Sequence, residues 1–164
     1  MREEIETDVK IFGSAKDRLG FYRREIRFET TNLSSRTDAF LASQAFLLIA
    51  YASSMANLNP QWGSLFTIVV PIMLALFGTV SSAIAWPGIK AACDIIDHWY
   101  LKQSGLLASN PLVGLSYDDS PLFSRWESTD KGHRPALIFS KRAPWFFCIF
   151  WLCLGAISTY VHLT

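Results

Sequence analysis

Asp94, Asp97 and His98 are the strongest grouping in this 164-residue chain by side-chain type and spacing. On a helix Asp94 and His98 stand one turn apart and share a face, so a carboxylate and an imidazole could hold a divalent metal together with His133 from a later loop. Two carboxylates and a histidine are also what a solvated helix face carries. That plainer reading is preferred, so no metal site, cofactor or enzymatic role is expected. Glycine-rich phosphate loops, paired-cysteine zinc spacings and serine elbows are all missing from the sequence. Cys93, Cys148 and Cys153 do not make a paired disulfide framework. His162 lies near the end of an apolar run and reads as interfacial. Nucleic-acid binding is not expected either. With 15 basic and 14 acidic residues the net charge is only +1, and Arg23, Arg24, Arg27 and Arg36 are interleaved with Glu25, Glu29 and Asp38.

A second pattern is polar but mostly uncharged. Arg23, Thr30, Thr37, Gln44 and Tyr51 recur every seven residues, nearly two helical turns, so they stack along one side of a helix. Gln44 is the most informative of them. A carboxamide in apolar surroundings needs hydrogen-bond partners and should face another helix or water, not lipid. A third pattern, Ala75, Gly78, Ser82 and Ala85, places small residues at helical spacing, which lets helix backbones approach closely.

The elements that carry these residues follow from where charge is absent. No charged residue occurs from Ala39 to Ile89, and from Ala143 to Thr164 only His162 can titrate, although hydrophobic residues make up just 51% of the chain. Crossing the hydrocarbon core takes roughly 20 apolar residues as a helix. Two such lengths fit the first stretch and one fits the second. The turn-forming run Asn57-Leu58-Asn59-Pro60-Gln61-Trp62-Gly63 separates the first two. The expected fold is therefore all-α: a polytopic membrane protein with three transmembrane helices near 39–58, 64–85 and 144–163. The first helix should extend into the cytoplasm, and a cytoplasmic helix-loop insert should join the second and third spans. The corresponding segments are 1–34, 35–86, 87–142 and 143–164. The first apolar run begins too far from Met1 for a cleavable signal peptide.

Orientation follows from basic residues, which accumulate in short cytoplasmic flanks. Lys16, Arg18, Arg23, Arg24, Arg27 and Arg36 precede the first span, and the connection after it has none. Lys90 and Lys102 follow the second, and Lys131, Arg134, Lys141 and Arg142 precede the third. The expected N-terminus is cytoplasmic and the C-terminus lies outside. Trp62, Trp86, Trp145 and Tyr160 fall where interfacial aromatics belong.

Within this frame Gly13-Ser14 is a natural break and a helix can start near Ala15. Thr30 to Ser35 is a run of cap-favouring residues, where a kink or a fresh N-cap competes with continuity. Pro71 removes a backbone donor from the second span. Pro87-Gly88 is expected to interrupt that helix, with a further amphipathic helix over 89–102, either along the interface or continuing downward. Loops are expected over 103–121 and 129–135, with a short turn at 122–127 whose Phe123 and Trp126 offer a docking patch.

The run Arg23-Arg24-Glu25-Ile26-Arg27-Phe28-Glu29, then Arg36, then Ser43-Gln44-Ala45-Phe46-Leu47-Leu48-Ile49-Ala50-Tyr51-Ala52, resembles small multi-span bacterial membrane proteins of unassigned function. The resemblance covers the first third of the chain and implies a bacterial inner-membrane setting. Membrane effectors of antiphage systems, which assemble into pores, share this general layout.

The preferred functional expectation is a homo-oligomeric pore or ion channel of the inner membrane, with closed symmetry bringing Thr37, Gln44 and Tyr51 around a central path and Arg23 and Thr30 into its vestibule. The alternative is a non-conducting anchor or regulatory subunit that docks a cytoplasmic protein through 90–142. The implied partners are the lipid bilayer, further copies of the chain, and that cytoplasmic protein.

Overall fold

The computed structural model describes residues 12–56, 63–115 and 130–163, and no strand occurs among the described residues. The elements are α1 (Ala15–Ala56), α2 (Ser64–Ser109), the single-turn α3 (Pro111–Leu115) and α4 (Asp130–Leu163). Three of these helices, α1, α2 and α4, contain segments long and apolar enough to cross a membrane. At about 1.5 Å per residue, the 42, 46 and 34 residues of α1, α2 and α4 all exceed the ~30 Å of a hydrocarbon core.

Helix α1 begins where the sequence breaks. Gly13 has φ +68°, a left-handed conformation that glycine adopts without strain. The Ser14 hydroxyl then accepts the Asp17 backbone N–H at 3.1 Å, an N-cap with an acidic residue in the first turn. The expected competitor at Thr30 to Ser35 does not interrupt the helix. The Thr30 and Thr31 hydroxyls donate back to the carbonyls of Ile26 and Arg27 at 2.7 and 2.9 Å, so their hydrogen-bonding capacity is met inside a continuous helix.

Three loop assignments are corrected. Helix α2 runs unbroken through both Pro71 and Pro87-Gly88 to Ser109. The segment expected as loop from 103 is helical up to Ser109 and again in α3, while 116–121 lies outside the described residues. Likewise α4 starts at Asp130, inside the expected 129–135 loop. Energetics account for the first of these. A proline in a helix interior costs about 3 kcal/mol, but continuing α2 buries Ile89, Cys93, Ile96 and Leu107. Burying each large aliphatic side chain stabilises by about 1.5–3 kcal/mol, so continuity wins. Residues 57–62 and the Phe123/Trp126 patch lie outside the described residues.

Many large apolar side chains face outward, unlike those of a water-soluble bundle. Phe46, Ile49, Phe77, Ile84, Phe146 and Leu152 are exposed, while Thr37, Gln44, Ser82 and Ser158 are buried among the apolar core residues. Within the apolar windows of α1, α2 and α4 only 17%, 22% and 17% of residues are buried, so most of their apolar surface points outward.

The chain divides into two compact units, Met1–Leu33 with Ala91–Phe139, and Ser34–Lys90 with Ser140–Thr164. In the first, Leu19, Tyr22, Leu106 and Leu107 form a core flanked by Phe21, Trp99 and Val113. Phe21 and Trp99 meet edge to face at 5.7 Å, and the Arg18 Nε–H donates to the Tyr22 hydroxyl at 2.6 Å. In the second, Tyr51, Ala75 and Trp151 form the core, with Leu47, Leu74, Phe147 and Leu154 around them.

Because α2 is already helical at Pro87, alanine there restores a backbone donor without changing the path of the chain. Pro87→Ala is expected to fold and to raise the unfolding temperature in detergent. An unchanged or lower unfolding temperature would indicate that the chain needs a break at this point.

Candidate functional site

The polar side of α1 meets α2 and α4 in the second unit at a junction centred on Gln44, which is 0% exposed. The Trp151 indole Nε1–H donates to Gln44 Oε1 at 2.6 Å. An indole can only donate, so it requires the oxygen end of the carboxamide. That leaves Gln44 Nε2 pointing at α2, where it donates to the Ser81 hydroxyl at 3.2 Å. The Ser81 hydroxyl in turn donates to the Gly78 carbonyl at 3.0 Å, which also accepts from Ser82 at 2.8 Å. One side chain of α1 therefore bonds to both other long helices.

Gly78 makes room for this arrangement. A Cβ at this position would lie 2.3 Å from the Trp151 ring, so the indole rests directly on the α2 backbone. Similarly, a Cβ on Gly155 would come within 3.3 Å of the Ala75 Cβ. The small residues marked by the sequence thus lie at different depths: Ala75, Gly78 and Ser82 are buried and Ala85 is half-buried. Nothing in the sequence paired Gly78 with Trp151. An indole 73 residues away reads as one more aromatic until the helices are docked.

Two turns along α1 a second polar link forms. The Tyr51 hydroxyl donates to the Leu154 carbonyl at 3.0 Å and lies 2.7 Å from Ser158 Oγ. Tyr51 has a single proton, so with that proton on Leu154 the Ser158 hydroxyl donates to Tyr51. The Tyr51 ring also meets the Trp151 ring edge to face, at 5.9 Å and 81°.

The stripe is therefore divided in its surroundings. Thr37, Gln44 and Tyr51 are buried in the second unit; Arg23, half-buried, and Thr30, exposed, belong to the first. Asp94 and His98 are exposed, Asp97 is half-buried, and the His133 side chain lies outside the described residues. Among the described residues no group of three His, Cys, Asp or Glu side chains is placed to hold a metal. The Gln44 junction uses only neutral donors and acceptors, so its chemistry is hydrogen bonding between helices.

Overpacking costs about 1–3 kcal/mol where neighbours can adjust. Gly78→Ala should lose at least that much, because the indole it strikes is hydrogen-bonded in place; normal stability would remove the close approach. Gln44→Leu strands the Trp151 N–H, and Trp151→Phe strands the Gln44 oxygen, each a buried unsatisfied group costing about 1–3 kcal/mol. In a double-mutant cycle the pair is expected to be less damaging than the sum of the single changes. Strict additivity of the unfolding free energies would show that the two side chains do not interact.

No protein-family model, no curated protein and no solved structure matches the chain.

Proposed function

We propose that the protein is a three-span membrane anchor that does not itself conduct, holding charged cytoplasmic segments at the bilayer for a soluble partner. The observation that carries this reading is that Gln44 finds partners inside the chain. Both ends of its carboxamide are bonded within the protomer, to Trp151 and to Ser81. Tyr51 is likewise committed, to Leu154 and Ser158. To line a conduit between subunits, these groups would have to give up bonds that water or an ion must then replace.

Membrane residence is supported by the outward-facing apolar side chains and by the three apolar helices. In lipid, outward-facing Phe77, Ile84 and Phe146 are in their preferred surroundings and polar groups belong between the helices. The cytoplasmic placement of 1–34 and 87–142 rests on the basic residues that flank the spans there, against none between the first two spans. The N-terminal resemblance adds a bacterial inner membrane as the setting.

Reconstituted wild-type protein is expected to leave liposomes ion-tight. A wild-type leak that Gln44→Leu abolishes would overturn the non-conducting reading and favour the homo-oligomeric pore. Membrane residence has its own test. Cys153 is exposed on α4 and should resist a water-soluble maleimide in intact membranes, yet react once SDS removes the lipid. Equal labelling in both conditions would place α4 in water.

A further inference from the structure

Where α2 and α4 of the second unit run side by side, a cavity of about 130 Å³ is lined by Ser82, Ala83, Trp86, Pro144, Trp145 and Cys148. Its walls are almost wholly apolar, so an apolar guest suits it better than water. The Trp86 and Trp145 rings in its lining meet edge to face at 5.7 Å. Trp145 is 54% exposed and Ala83 is also exposed, so the cavity lies open along its outer side.

A cation stands over one of those rings. The Lys90 ammonium lies over the Trp86 ring, 5.3 Å from its centroid. Across the segments 34–90 and 140–164 the charged residues are Arg36, Lys90, Lys141 and Arg142 against Asp38, four cations to one carboxylate. Lys90 is exposed and one helical turn beyond Trp86, so a cation borders an apolar cleft that contains two tryptophans, the interfacial residue type.

We infer that this cleft is a binding site for an anionic glycerophospholipid, with its phosphate held by Lys90 and an acyl chain lying in the cavity alongside Trp86 and Trp145. The occupant follows from two complementarities: a cation at the rim calls for an anionic head, and an apolar cavity open to the outside calls for a hydrocarbon tail. A zwitterionic lipid satisfies the second and gains little from the first, since each basic residue near a surface contributes about 1 kcal/mol toward anionic lipid. The inference rests on the membrane reading above.

The test uses the full chain reconstituted in vesicles, with tryptophan emission quenched by lipids brominated on the acyl chain. Brominated phosphatidylglycerol should quench more strongly than brominated phosphatidylcholine at equal mole fraction, and the difference should disappear in Trp86→Phe/Trp145→Phe. Lys90→Gln should lower the preference about fivefold, the equivalent of ~1 kcal/mol for one cation. Lys90→Arg should keep it, which separates charge from folding. Filling the cavity with Ala83→Leu should weaken quenching by both lipids. Equal quenching of wild type by the two lipids, in protein that floats with the vesicles, overturns the lipid site and leaves the membrane reading intact. Protein that fails to float with vesicles at all overturns both.

Discussion

The carboxamide of Gln44 sets a constraint that much of the second unit answers to. It is enclosed among apolar helices, and a polar group without partners in such surroundings costs several kcal/mol. The oxygen end is met by the Trp151 indole and the nitrogen end by Ser81. The indole reaches Gln44 only because Gly78 offers bare backbone beneath it. One hydrogen-bonding requirement therefore fixes which face of α2 and which face of α4 turn toward α1. Tyr51, two turns further along, repeats the demand and sets the register through Leu154 and Ser158.

Hydrophobic burial does not supply this specificity. The exposed faces carry Phe46, Phe77, Ile84 and Phe146, and hydrocarbon would solvate them as readily as another helix would. Helices in such a medium are selected by close backbone approach and by hydrogen bonds, and both occur at Gly78. Individual bonds of this kind average about 0.6 kcal/mol in membranes. The junction draws its weight from geometry: three helices share one small set of groups, and loss of the Trp151–Gln44 bond would strand a buried donor and a buried acceptor.

The same economy shapes the functional reading. A polar stripe on a membrane helix invites interpretation as a conduit, and a seven-residue repeat of Arg23, Thr30, Thr37, Gln44 and Tyr51 supports either a path or a seam. Docked helices favour the seam for Gln44 and Tyr51, because their side-chain hydrogen bonds end on α2 or α4 of the same chain. The cation nearest the two-tryptophan cleft, Lys90, lies on α2 and outside this seam.

The sequence by itself determined the helical class and the number of apolar helices, because two uncharged stretches of sufficient length need no partner to be recognised. It also singled out Gln44 and the small face of Ala75, Gly78, Ser82 and Ala85, since a lone carboxamide and a row of small residues are conspicuous against an apolar background. Helix limits were less legible at Pro87-Gly88 and at 129–135. Local rules assign a proline its cost, but they do not count the burial of Ile89, Ile96 and Leu107 that outweighs it. Only the tertiary structure decided which partner each conspicuous residue takes. Trp151 and Ser81 are 107 and 37 positions from Gln44, and hydrogen bonds across such separations depend on helix docking, which no local pattern encodes.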